Sequence, residues 1–138
     1  MADLQDPVDL VHAILTNLGY DANKERTESR ALSAPGYVFI EEVTGSIPHL
    51  QYSDRPGVQI VVYSVNGFSA SRRLAYDILR DLQSQQGVKY VIGGLNSGIH
   101  RVITTLRPAR QDINGLPSGT GRTVCQIDLI LSTQDHWS

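Results

Sequence analysis

The chain has 138 residues, with 12 lysine and arginine residues against 14 aspartate and glutamate residues, so its formal net charge is −2 at pH 7. This length predicts a single domain, residues 1–138, whose core is large enough to fold without disulfides. One cysteine excludes an internal disulfide framework, and the sequence has no run of about 18 apolar residues that would span a membrane. No block of basic residues favours tight nucleic-acid binding, so we expect a soluble cytosolic protein.

An N-terminal helix is the first predicted element. Asp6 is a favoured cap, Pro7 is a favoured first helical residue, and Gly19 is a typical stop. Apolar residues recur between them at helical spacing: Val8, Val11, Ile14, Leu15 and Leu18. Residues 21–36 have no clear period and predict a loop, whereas residues 37–43 predict the first strand.

Residues 58–65 predict an interior strand, because apolar side chains occupy both of its faces. One face carries Val58, Ile60 and Val62, and the other carries Val61, Tyr63 and Val65. Asn66 and Gly67 then supply a turn. Ser69 is predicted to cap a second amphipathic helix, and Gly87 is predicted to end it.

The remaining chain predicts more strands. Residues 88–92 suit a short strand, turns follow at residues 93–94 and 96–98, and the last two strands are expected at residues 100–106 and 122–132. The order is therefore helix, strand, strand, helix, strand, strand. We expect an α+β two-layer sandwich, with a roughly four-stranded, mainly antiparallel sheet and two helices on one face. The far face would then be exposed and require subunit contacts or another layer.

Two long connections, residues 44–57 and 108–121, are predicted to be extended loops. The first carries apolar side chains that either contact a partner or fold back on the chain's own core: Ile47, Leu50 and Tyr52. The second contains GLPSGTG, which superficially resembles a phosphate-binding loop. It lacks the Gly-Lys-Ser/Thr ending and a following helix, so a flexible hairpin tip is the preferred interpretation.

No motif in the sequence predicts a catalytic, cofactor or metal site. Four histidines are scattered without metal-ligand spacing: His12, His49, His100 and His136. Glu41 and Glu42 are adjacent in a strand, so they face opposite sides and do not form an acid–base pair. Cys125 alternates with apolar residues, which favours a buried packing residue, although a dyad with a distant histidine remains open. Arg72 and Arg73 are interpreted as a solvated helical face, with docking as the alternative.

Four segments carry a family resemblance in their order and spacing. They are DPVDLV at residues 6–11, RPGVQIVVY at residues 55–63, SASRRLAYDIL at residues 69–79 and RTVCQIDLIL at residues 122–131. Together they resemble the tail-terminator proteins of long non-contractile-tailed bacteriophages, particularly the family common in phages of actinobacteria. The two long loops depart from the family pattern, so contact residues are not carried over.

The resemblance implies a structural virion protein without a cofactor or reaction. Members of that family form a ring, usually hexameric, which binds the head-proximal end of the tail tube, stops its polymerisation and presents a surface for head–tail joining. The implied partners are further copies of the chain, the tail-tube protein and the head–neck connector. DNA would pass through the lumen without specific binding, and no membrane is involved. The implied location is the tail–neck region of the virion, after assembly in the host cytoplasm.

The residue pattern suggests where such contacts would lie. We hypothesise that the subunit seam includes Val61, Tyr63, Val65 and Ile130. We further hypothesise that a neighbour or the tube contacts Ile47, Leu50 and Tyr52. Three alternatives stay open at this point: a head-completion or neck connector protein of the same virion, a small cytosolic enzyme using Cys125 or His100, and a cellular adaptor of α+β fold.

Overall fold

The computed structural model describes residues 6–25, 27, 30, 34–42, 57–110 and 120–132, with the side chains of residues 103–110 and 132 excepted. The elements in chain order are α1 (Pro7–Asn17), β1 (Asp21–Asn23), β2 (Tyr37–Glu42), β3 (Gly57–Ser64), α2 (Phe68–Ser84), β4 (Tyr90–Ile92), β5 (Leu95–Arg110) and β6 (Gly121–Ser132).

The described strands form one mixed six-stranded sheet in the order β1-β2-β3-β6-β5-β4. β1 and β2 are parallel, and every other neighbouring pair is antiparallel. The sheet is curled, so that α1 contacts both of its edge strands, β1 and β4. The predicted α+β class with two helices is confirmed, whereas the predicted number and order of strands are wrong.

Two local features explain the difference in strands. β1 lies within residues 21–36, which were predicted to be a loop. The prediction missed this strand because three residues are too few to show a period, and β1 is defined by its pairing with β2. β5 continues through the turn predicted at residues 96–98, because the chain reverses earlier, at Gly93 and Gly94, where φ is 59° and 81°. Three irregularities in the pairing of β5 with β6 then let this strand run for 16 residues.

Helix α1 begins and ends as its sequence predicts. The Asp6 carboxylate accepts hydrogen bonds from the backbone N–H groups of Val8 at 2.8 Å and Asp9 at 3.3 Å. Beyond the last helical turn, Gly19 adopts a φ of 95°, a conformation that glycine reaches without a steric cost.

Helix α2 begins two residues earlier than a cap at Ser69 would allow. Phe68 is already helical and Gly67 holds the cap position, so the predicted Ser69 cap is wrong and the helix has no side-chain cap. The helix ends at Ser84, and Gly87 follows with a φ of 82°. Its N–H donates to the Ile99 carbonyl at 2.8 Å, which joins the end of the helix to β5.

The two helices and one face of the sheet share a single hydrophobic core. The helices contribute Leu10, Val11, Ile14, Leu15, Ala75, Ile78, Leu79 and Leu82. The sheet contributes Val38, Ile40, Val58, Ile60, Val62, Ile99, Val102, Cys125, Ile127, Leu129 and Leu131. Burying one large aliphatic side chain stabilises a fold by about 1.5–3 kcal/mol, so this cluster dominates the stability of the domain. Neither of the two described helices is long and apolar enough to cross a membrane.

The first turn of α2 is fixed against the start of β6. The Ser71 hydroxyl donates to the Phe68 carbonyl at 2.9 Å and lies 2.7 Å from the Thr123 hydroxyl, with both side chains buried. A side chain at Gly121 would collide with the backbone of Gly67 and Phe68. Close approach of these two backbone segments therefore requires glycine at position 121.

We expect Gly121→Ala to lower the free energy of unfolding by about 1–3 kcal/mol, because neither backbone segment can move without disturbing a central strand. The matched control is Gly36→Ala, whose Cβ would meet only the mobile end of the Leu74 side chain, at 2.9 Å. Urea unfolding measures both changes. Equal effects of the two substitutions would contradict the close approach at Gly121.

Candidate functional site

The face of the sheet opposite the helices is closed at one end by the connection between β1 and β2. The Tyr37 hydroxyl donates to the Glu25 carbonyl at 2.8 Å and accepts from the Thr27 N–H at 2.8 Å. The Tyr37 and Tyr63 rings meet edge to face, with centroids 6.2 Å apart. This packing buries Tyr37, Val61 and Tyr63 within one chain.

Two arginines complete this closed end. The Arg30 guanidinium lies 5.4 Å from the centre of the Tyr37 ring and binds both Asp21 carboxylate oxygens, at 2.7 and 2.8 Å. Arg122 lies 5.2 Å from the centre of the Tyr63 ring. Each cation faces an aromatic π-system, a contact that contributes about 0.5–2 kcal/mol depending on its burial.

The predicted seam residues therefore divide into two groups. Val61 and Tyr63 are each only 1 % exposed, which corrects the expectation that the whole far face is open. Their burial comes from residues of the same chain, including Ala34 of the connection, so a contact with another subunit would have to displace some of these residues. Val65 is 38 % exposed and Ile130 is partly exposed, and the seam contacts predicted for these two remain untested.

Several predicted positions lie outside the described residues. They are Ile47, Leu50 and Tyr52 of the first long loop, His49 and His136, and most of the second long loop, residues 111–119. The described parts of that second loop are the end of β5 and the beginning of β6. Residues 108–110 are therefore strand and not loop as predicted.

The other end of the far face is polar and acidic. The register places Glu41 beside Gln59 and Gln59 beside Gln126, while Asp128 lies beside Gly57. The Gln59 amide donates to the Glu41 carboxylate at 2.7 Å. Glu42, at the end of β2, is exposed but pairs with Val58, so it lies on the helix-facing side of the sheet.

The outward side of α2 carries the opposite charge. A shallow depression of about 390 Å³ is lined by Ser69, Arg72, Arg73, Tyr76 and Asp77. The Arg72 guanidinium lies 5.6 Å from the centre of the Tyr76 ring, and this tyrosine is 44 % exposed. Arg80 pairs with Asp77 at 3.5 Å and Asp81 at 3.4 Å, so these acids are already engaged. We call Ser69, Arg72, Arg73 and Tyr76 the basic surface.

The structure does not bring the candidate catalytic residues together. Cys125 is buried on the helix-facing side of β6, as predicted, and burial raises the pKa of its thiol from 9.0 to about 12. His100 is exposed on β5, opposite the far part of β6, where the neighbouring pairs are Ile99 with Leu131 and Arg101 with Ile130. The strand rise puts roughly 17–20 Å between the cysteine and the histidine. Within the described part of the chain, no three His, Cys, Asp or Glu side chains cluster as metal ligands.

Comparison with known proteins adds no family assignment. No family model matches the chain, and no curated protein matches it.

The raised pKa of Cys125 predicts a specific pH dependence of stability. The folded chain keeps the thiol proton up to about pH 12, whereas the unfolded chain releases it above pH 9.0, so this contribution is complete below pH 9 and is lost as the pH rises towards 12. We expect Cys125→Ala to be less stable than the wild type at pH 8, and the difference to shrink by about 1 kcal/mol by pH 10.

Urea unfolding of both proteins at the two pH values measures this change. Burial also raises the pKa values of Tyr20 and Tyr90, the former with a further contribution from the hydrogen bond to Asp81, but both tyrosines are present in each protein and cancel in the difference. A difference that stays constant across this pH range would contradict a desolvated thiol.

Proposed function

We propose that this chain is a structural virion protein that forms a ring on the head-proximal end of a phage tail tube. The ring stops polymerisation of the tube and provides the surface for joining the head. Its partners are other copies of the chain, the tail-tube protein and the head–neck connector. It is assembled in the host cytoplasm and acts in the tail–neck region of the virion, with no enzymatic activity.

The observation that carries this proposal is the position of the four resembling segments in the fold. They contribute α1, β3, most of α2 and β6, and the two strands are neighbours at the centre of the sheet. The segments thus form one packed unit, in which α2 covers both strands and α1 contacts β3 and α2. The four segments are core and capping patterns, which depend on how the chain packs. Because all four lie in one packed unit, their resemblance supports a shared fold better than scattered matches would.

The enzyme alternative has less support. It requires the Cys125 thiolate or a reactive histidine, yet the thiol is buried with a raised pKa, and His100 lies on a distant part of the sheet. The connector alternative uses the same kind of surface as a tail terminator. It is therefore distinguished by which particle the protein binds.

We expect the purified protein to bind the ends of tail tubes and to stop their growth when it is added to polymerising tube protein. Negative-stain electron microscopy would show a cap at one end of each tube and a shorter length distribution. Binding to filled heads in preference to tails would favour the connector instead. Binding to neither particle would reject both virion functions.

The same assay tests the exposed part of the predicted seam. Val65→Asp places a charge on a surface residue of the turn between β3 and α2 and is expected to weaken capping if Val65 lies between subunits. Val91→Asp is the matched control, because this valine is 65 % exposed on the edge strand β4. Tyr63→Asp is unsuitable, since it would bury a carboxylate inside the chain.

A further inference from the structure

Two arginines lie over neighbouring tyrosine rings at the aromatic end of the far face, but only one of them has a counter-charge. The Arg30 Nη2 group binds both carboxylate oxygens of Asp21 at 2.7 and 2.8 Å, and its Nη1 group donates to the Asn23 Oδ1 atom at 3.3 Å. Arg122 lies over the Tyr63 ring at a similar distance, 5.2 Å, yet no described carboxylate lies within 4.0 Å of its guanidinium. Its Nε atom is buried, and no described residue accepts a hydrogen bond from it.

The register of the sheet explains why Arg122 is left without a counter-charge. Tyr37, Tyr63 and Arg122 stand directly opposite one another on β2, β3 and β6. Asp21 begins the same row on β1, but it is already paired. Asp128 shares β6 with Arg122 and lies six residues away, which corresponds to roughly 20 Å. Neither of these two carboxylates can therefore neutralise Arg122.

The guanidinium of Arg122 is partly removed from water without having gained an acceptor. The residue is only partly exposed, its Nε–H group is closed to solvent, and the contact that it makes there is with the face of the Tyr63 ring. A cation in such surroundings attracts an anion more strongly than a fully hydrated cation does. The two Nη groups are not buried, so they are the part of this side chain that a ligand reaches.

The backbone that carries Arg122 is held on both sides. The preceding residue, Gly121, abuts the first turn of α2, and the hydroxyl of the following residue, Thr123, lies 2.7 Å from the Ser71 hydroxyl. The Tyr63 ring beneath the guanidinium is itself only 1 % exposed. Little freedom remains to be lost when a ligand binds, and such preorganisation favours affinity.

We propose that Arg122 is a binding site for a carboxylate. One guanidinium balances the charge of one carboxylate, and its planar donors suit the two oxygens, as the pairing of Arg30 with Asp21 shows at the same end of the sheet. A phosphate group fits less well, because its charge of about −1.5 to −2 at pH 7 exceeds that of the single cation. The carboxylate belongs either to a small molecule or to an acidic side chain of another protein molecule. This inference does not depend on the proposed ring.

Side-chain NMR tests the site directly, with sodium acetate as the probe and sodium chloride at equal ionic strength as the control. We expect acetate to shift the Arg122 Nε–H signal saturably. Arg72 of the basic surface is the matched internal control, because it lies 5.6 Å from the centre of an exposed tyrosine ring and has no described carboxylate within 4.0 Å. Its signal should move little and without saturation, because its guanidinium is hydrated.

Urea unfolding in the same two salts gives a second readout. Acetate should raise the unfolding midpoint of the wild type above its value in chloride, as any ligand that binds only the folded chain does. Arg122→Gln should lose this rise, whatever its own stability, because each variant is compared with itself in the two salts. Arg122→Lys keeps the charge without the planar donors, so its rise should be smaller than that of the wild type.

The source of the carboxylate is distinguished by dilution. An Arg122 signal that moves with protein concentration in chloride alone would support the site and identify an acidic side chain of a second copy as its occupant. If the Arg122 signal responds to neither acetate nor protein concentration more than the Arg72 signal does, the inference is overturned. It is also overturned if, in dilute protein, acetate raises the unfolding midpoint of Arg122→Gln as much as that of the wild type.

Discussion

The burial of β3 on both of its faces is the constraint on which the rest of this structure depends. On one side, Val58, Ile60 and Val62 pack under the two helices. On the other side, Val61 and Tyr63 pack with Tyr37, and Ala34, Phe39 and Val124 of the same chain lie against this cluster. A strand buried in this way fixes the position of its neighbours β2 and β6, and hence the register that places every other surface side chain.

This two-sided burial limits where another molecule can bind. The aromatic end of the far face is closed by hydrogen bonds of Tyr37 and by the two arginines above the tyrosine rings. The acidic end of the same face remains accessible, as does the outward side of α2. Contacts between copies would therefore not use an apolar sheet face left bare.

Local features of the fold could be predicted from sequence, because the signals that define them lie within a few residues. Asp6 and Gly19 bound α1 as expected, and the two-faced apolar pattern of residues 58–65 identified the interior strand. The three-residue strand β1 could not be predicted in this way, since it exists through pairing with β2. The start of α2 was missed because its cap position is a glycine without a side-chain hydrogen bond.

The candidate surfaces were harder to predict than the elements, because they depend on contacts between distant residues. Alternation alone placed Glu41 and Glu42 on opposite sides of their strand, but the polar end of the far face also requires the register that brings Asp128 beside Gly57. The cover over Tyr63 similarly depends on Tyr37 reaching the backbone of Glu25 and Thr27. Such contacts have no signature in a single sequence. The burial of Cys125 was predicted correctly, since it follows from simple alternation along one strand.

A cryo-electron-microscopy map of the protein bound to tail tubes tests the central claim most directly. The account predicts a closed ring in which Tyr63 stays inside its own subunit, packed against Tyr37. A ring whose subunits meet through the opened aromatic end of the sheet would contradict it.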